Sequence, residues 1–192
     1  MQGTVWETAD RIVSEFHLIG TDLERPPYFL EASALWDEDA LYVSFVSDPP
    51  PVPVTKQKRD EDLFNECAVE VFLRAGDGFY EIEVNPLGAV LDLYFPDVKE
   101  QDWRAMAAFD VPGLVWGVGE GGNGGRWRAQ MGIPWTGVPE VTRAEYGGEV
   151  CLFANFARSQ TLPDGSTNLT TWGRARKTFC ELDGMGRLVL VT

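Results

Sequence analysis

Histidine is almost missing from this chain: His17 is the only one among 192 residues. It has neither a nearby cysteine nor a nucleophile-elbow sequence, so a hydrolytic triad has little to stand on, and His17 reads as structural. Cysteine is sparse as well. Cys67, Cys151 and Cys180 are odd in number and widely spaced, which gives neither a disulfide framework nor a CxxC metal knuckle, and they read as buried apolar fillers. Positive charge is the third shortage. With 16 Lys and Arg against 30 Asp and Glu, a net charge of −14 and a pI near 4.4, the chain opposes phosphate backbones, and no nucleic-acid partner is expected.

No apolar run approaches the length needed to span a bilayer, so no membrane role is expected. The start, MQGTVWETADRIVSEF, lacks a basic region followed by an apolar stretch. That reads as no export signal and a cytoplasmic location by default. No segment sustains a long helical period, which excludes the repeated helices of a parallel α/β protein. Short helical turns are expected at Thr8 to Ser14, Glu100 to Ala107 and Glu140 to Tyr146.

What is present is ordinary globular composition, 44% hydrophobic and 24% charged, sized for a single domain over residues 1–192. Strand-like segments recur at Tyr28 to Trp36, Ala40 to Ser47, Cys67 to Leu73, Phe79 to Asn85, Ala89 to Phe95, Leu114 to Val118, Arg126 to Ile133, Val150 to Ala157 and Arg187 to Val191. Turn residues such as Asn85-Pro86-Leu87-Gly88 and Gly121 to Gly125 separate them. Gly117 to Gly122 satisfies GxGxxG but precedes a strand instead of a helix, and reads as a hairpin loop. The expected architecture is all-β, an antiparallel β-sandwich of immunoglobulin or jelly-roll type. Asp48 to Asn65, with Pro49-Pro50-Pro51-Val52-Pro53, reads as a loop placed to wall a pocket.

The segment Cys67 to Asn85 carries the chemistry. Two period-two runs flank Ala75-Gly76-Asp77-Gly78, a four-residue turn signal for a hairpin. If Arg74 pairs with Phe79, Glu70 falls opposite Glu83 and Phe72 opposite Glu81. Val69, Val71, Leu73, Tyr80, Ile82 and Val84 then share a core face, and Glu70, Phe72, Arg74, Phe79, Glu81, Glu83 and Asn85 share the other. Like charges directly opposite are destabilising, so three carboxylates on one surface suggest a compensating arginine, a cation, or a ligand rich in hydroxyl donors. A solvated outer face is the competing reading.

Several short motifs occur in a telling order: Gly3 to Ala9 (GTVWETA), Leu35 to Val43 (LWDEDALYV), Val69 to Leu73 (VEVFL), Tyr80 to Gly88 (YEIEVNPLG), Trp127 to Trp135 (WRAQMGIPW), Asn155 to Arg158 (NFAR), and Trp172 ahead of Phe179. In this succession the chain resembles the family 9 carbohydrate-binding modules and their relatives of the DOMON-like β-sandwich class. The resemblance implies non-catalytic binding of a soluble mono- or oligosaccharide, held between two aromatic rings and hydrogen-bonded by nearby polar groups. A pyranose suits such a site, because its C–H face packs on a ring while its hydroxyl rim needs acceptors and bidentate donors. Carried over by position, the platforms fall on Phe64 and Trp172, and the hydroxyl-binding glutamate on Glu70. Asn155 and Arg158 lie in the strand that adds polar contacts, and Glu81 and Glu83 line the same face, where they tune polarity or hold a cation.

The better-characterised modules carry tryptophan where Phe64 stands and a basic residue close to Glu81. The resemblance further implies association with glycan-degrading enzymes and structural calcium, for which Asp37, Asp39, Asp48, Asp60 and Asp62 are generic donors. No other cofactor is implied. Three rivals stay open: a glycosidase using Glu70 and Glu83, a haem-binding sandwich relying on His17 with Met106 or Met131, and a scaffold whose acidic face meets a basic partner.

Overall fold

The computed structural model describes residues 6, 9–12, 15–99, 102–122 and 124–191. In chain order its strands begin with β1 (Asp10–Ile12), β2 (His17–Leu18), β3 (Leu30–Trp36), β4 (Ala40–Ser47), β5 (Cys67–Ala75), β6 (Gly78–Val84) and β7 (Val90–Phe95). They continue with β8 (Val115–Glu120), β9 (Trp127–Pro134), β10 (Arg143–Tyr146), β11 (Glu149–Thr161), β12 (Thr167–Thr171) and β13 (Gly186–Leu190). Every pairing between them is antiparallel. One sheet runs β1-β3-β4-β9-β8 and the other β2-β12-β11-β5-β6-β7, with β10 and β13 on opposite edges of the first half of β11. The fold is an all-β sandwich.

Alternation drives the closure. Leu41, Val43 and Phe45 of β4 and Ala129, Met131 and Ile133 of β9 meet Val69, Val71, Leu73, Tyr80, Ile82 and Val84 of β5 and β6 in one buried core. Each such side chain contributes roughly 1.5–3 kcal/mol by leaving water. The hairpin register is the expected one, with Glu70 opposite Glu83, Phe72 opposite Glu81 and Arg74 opposite Phe79. Its turn is tighter than four residues, because Ala75 and Gly78 already pair and Gly76 alone takes positive φ, at 61°.

The outer face of the second sheet is not solvated. Phe72, Phe79, Ala89, Leu91, Leu93 and Phe95 form a second buried cluster with Leu63, Phe179 and Met185, so this sheet is dry on both sides. Its cover comes from three connections: the proline-rich insert, the segment after β7 and the segment after β12. Asn85 ties down the insert, its side chain donating to Lys56 O at 2.8 Å and accepting from Leu87 N and Ala89 N at 3.0 Å.

Several expectations need correction. Arg143–Tyr146 is a strand rather than part of a helical turn, because it pairs with the start of β11. Within Thr8 to Ser14, Asp10–Ile12 is the strand β1, while Thr8, Val13 and Ser14 lie outside the described residues. Trp103–Met106 does form a helical turn (α1), and the Glu100 end of that expectation lies outside the described residues. Of the motif Gly3 to Ala9, only Trp6 and Ala9 are described. Gly117 and Gly119 belong to β8, and the hairpin loop starts only at Gly121. No helix among the described residues is long and apolar enough to cross a membrane.

Candidate functional site

The three connections and the dry sheet face enclose a cavity of about 980 Å³. Strand parity sets its floor: Glu70, Phe72, Phe79, Glu81, Leu93 and Phe95 all point outward from β5, β6 and β7 into it. Phe64, in the 3-10 turn Leu63–Asn65, meets Trp103 of α1 edge to face, with centroids 5.5 Å apart and planes at 87°. Asp102 caps that helical turn, its carboxylate accepting from Ala105 N at 3.3 Å, which presents Trp103 to the cavity. Phe179 closes the floor against Phe72 at 5.6 Å. The exposed Arg174, Arg176 and Lys177 stand at the mouth.

The carboxylates are unusual for their surroundings. Glu70 and Glu83 are 0% exposed and Glu81 is 9% exposed, and they are flanked across the ladders by Ala157, Leu91 and Leu93. None of the four carboxylate oxygens of Glu70 and Glu83 has a hydrogen-bond partner. The buried Ser159 hydroxyl lies beside Glu70 and makes no well-formed hydrogen bond. Burial pushes all three acids up. Glu81 reaches about 7, while Glu70 and Glu83 lie well above the ordinary range, driven first by desolvation and then by their carboxylate neighbours. Burial and the same three acids also push up the Cys180 thiol in the cavity wall.

The expected site residues divide. Phe64, Glu70 and Glu81 line the cavity together. Glu83 lies on the same face, behind the lining. Asn155 also belongs to that face, opposite Phe72, but its Oδ1 is occupied by Thr171 Oγ1 and Gly173 N, each at 2.8 Å, and it does not line the cavity. It anchors the start of the covering segment.

Arg158 and Trp172 are corrections. Three residues on from Asn155 in one strand, Arg158 points to the opposite face, where it pairs with Val69. Its guanidinium donates to Ser47 Oγ, to Asp48 O at 3.0 Å and to Gln160 Oε1 at 2.6 Å, and sits 4.3 Å from the centre of the Tyr28 ring. Trp172 also turns inward. It stacks on Phe156 at 5.4 Å, donates to Glu15 Oε2 at 2.8 Å, and walls a separate cavity of about 380 Å³ beside His17. Among the described residues, Phe64 and Trp172 line separate cavities. Trp103 and Phe179 are the rings that accompany Phe64, and reading Trp103 as a wall needs the fold to bring β7 and its following segment over β5.

The five aspartates do not gather as a cation site. Asp48 accepts from Arg126 Nε at 2.9 Å and Phe29 N at 2.8 Å, Asp62 binds Lys56, and Asp37 accepts from Asp39 N and Ala40 N at 2.9 Å. Asp60 clusters with Asp92 and Asp110, but Arg59 already bridges those two.

Against solved structures the chain is similar to a family 9 carbohydrate-binding module from Caldicellulosiruptor kristjanssonii in complex with glucose. The TM-score is 0.66 at 11% identity, over 100% of this chain and 88% of that one. The fold is that of a family 9 carbohydrate-binding module. The same module in complex with cellotriose aligns with a TM-score of 0.65 at 11% identity, over 98% and 85% of the two chains. A protein from Bacteroides uniformis aligns with a TM-score of 0.64 at 13% identity, over 92% and 86%. No protein-family model and no curated protein matches the sequence. In this family 9-like sandwich, Phe64, Trp103, Glu70 and Glu81 converge on the outer side of the second sheet.

Proposed function

We propose that this chain binds a soluble saccharide without turning it over, in the cavity above β5 and β6. The observation that carries the reading is the meeting of Phe64 and Trp103 with Glu70 and Glu81 in one space of about 980 Å³, large enough for a sugar of one to a few units. The rings offer an apolar surface to a pyranose C–H face. Glu81, the one of the three acids with any exposure, accepts from the sugar's hydroxyls and, where protonated, donates back. The sugars named with the similar modules, glucose and cellotriose, make them the first ligands to try. Attachment to, or association with, glycan-degrading enzymes belongs to the same proposal.

The glycosidase reading is less well supported. Two carboxylates must flank the scissile bond, yet the oxygens of both Glu70 and Glu83 are closed off, and Glu83 stays behind the lining. A haem site is also poorly supported, since His17 borders the small cavity, Met131 the inner core and Met106 the outer cluster.

Isothermal titration with glucose, cellobiose and cellotriose, in chelator-treated buffer, tests the proposal. Saturable binding weakened about tenfold by Trp103→Ala or Phe64→Ala is expected. Absence of saturable heat at high millimolar sugar, or affinity indifferent to both substitutions, overturns it.

A further inference from the structure

We infer that Glu70, Glu81, Glu83 and Ser159 form a binding site for a hard divalent cation of the calcium class, set into the sheet beneath the cavity floor. The inference goes beyond saccharide binding and uses residues other than the aspartates considered above.

Geometry is the first support. One carboxylate oxygen from each of the three glutamates lies within 4.8 Å of the other two. Oxygens this close converge on a single ion at the roughly 2.3–2.6 Å of calcium–oxygen bonds after small side-chain adjustments. The hairpin builds this directly: Glu70 and Glu83 are cross-strand partners, and Glu81 stands two residues along on the same face.

The second support is that, among the described residues, no ion pair reaches the three acids, while Arg174, Arg176 and Lys177 stand exposed at the mouth. Arg158 faces away, Arg74 donates to Gly76 O and packs over the Phe153 ring, and the ion pairs of Lys56, Arg59 and Arg126 all go to aspartates. Buried acids of one sign with no donor need an explanation. The third support is independent of the acids. Ser159 is 0% exposed, sits on the same face as Glu70 and beside it, and its hydroxyl oxygen makes no well-formed hydrogen bond, which leaves it free as a neutral ligand of the kind a hard cation takes.

The ligand set also discriminates. Every donor is oxygen, which suits calcium or its analogues better than a thiophilic metal. An organic ammonium is less well matched. Glu70 and Glu83 have no accessible oxygen, so a nitrogen borne on carbon would displace protein atoms to reach them. A bare ion entering past Glu81, the one acid with any exposure, displaces less than an ammonium carried on carbon.

Terbium luminescence excited through tryptophan tests the site, since Trp103 lines the cavity above it. The protein is first freed of metal with chelator, and no saccharide is present, so the outcome is independent of sugar binding. Saturable emission, competed by calcium and reduced at least tenfold in affinity by Glu83→Gln and by Glu81→Gln, is expected. Asp110→Asn, in the exposed acidic group around Arg59, leaves it unchanged. Calcium also raises the melting temperature of the parent protein and not that of Glu83→Gln. Equal terbium affinity in the parent and both glutamine variants overturns the site, as does competition by glucosamine but not by calcium. The isosteric amides keep the side-chain volume, and a melting transition in each variant verifies that it is folded.

Discussion

Glu70 and Glu83 face each other across the β5–β6 ladder, both sealed from solvent, and neither carboxylate has a hydrogen-bond partner. With no cation bound, the folded protein carries this arrangement most easily with protons on the acids. Its stability is therefore tied to pH through the same residues that shape the cavity floor.

The sign follows from the raised folded-state values. In the unfolded chain these glutamates ionise near 4.5, whereas in the fold Glu81 holds its proton to about 7 and burial holds the other two well above the ordinary carboxyl range. Stability is fully present below pH 4.5 and is lost as pH rises through 7 and above. For Glu81 alone the span corresponds to on the order of 3 kcal/mol. Metal-free protein is expected to melt progressively lower from pH 5 to pH 8.5, and Glu81→Gln to flatten that slope. A melting temperature that climbs over this range in the parent protein contradicts the assignment. Cys180, Arg74 and the mouth residues Arg174, Arg176, Lys177 and Glu181 border the same space, so the comparison with Glu81→Gln is what isolates the acid cluster.

Arg158 is expected to act through stability. Its fork satisfies Ser47, Asp48 and Gln160 inside the sandwich, and Arg158→Lys loses the planar geometry that reaches them together. Chemical denaturation should show a loss of about 2–3 kcal/mol. Saccharide affinity in the folded fraction should stay at the parent value, and a selective loss of affinity would return Arg158 to the site.

Trp172 and Trp103 give opposite predictions. Trp172→Ala removes a ring stacked on Phe156 in the main core, with an expected cost of about 3–5 kcal/mol and no direct effect on ligand. Trp103→Ala leaves the fold nearly as stable and weakens saccharide binding. Urea melts and titrations on the two variants separate the roles, and exchanged behaviour would place the platform on Trp172 after all.

Gly78 admits no side chain. A Cβ there would lie 1.8 Å from the Phe95 carbonyl oxygen, so Gly78→Ala must separate β6 from β7 at the end where Phe79 stacks on Phe95. A loss of more than about 3 kcal/mol is expected by thermal unfolding, well above what helix or strand propensity alone accounts for.

Much of the architecture was readable from alternation. The hairpin register, its two faces and the main strands β3 to β9 follow from period-two runs and turn residues, because each buries a continuous apolar row. The polar strand β12, Thr167–Thr171, has no such row, and β10 is held by its pairing to β11 instead of by its own pattern. Missing β12 removed the parity that sends Trp172 inward next to Thr171. Parity within β11 was legible, since Asn155 and Arg158 stand an odd number of residues apart and cannot share a face. Burial of the glutamates was not legible. Their cover comes from segments distant in sequence, and nothing in VEVF or YEIEV announces it.

Because the second sheet is covered on both sides, β5 and β6 lack any solvent-facing surface for local opening. Their amides should be among the slowest in the molecule to exchange with deuterium. The covering segments around Phe64, Trp103 and Phe179 hold no ladder of their own and should exchange first. Occupancy of the space beneath them then registers as slowed exchange in the covers, against a hairpin whose rate is set by global unfolding.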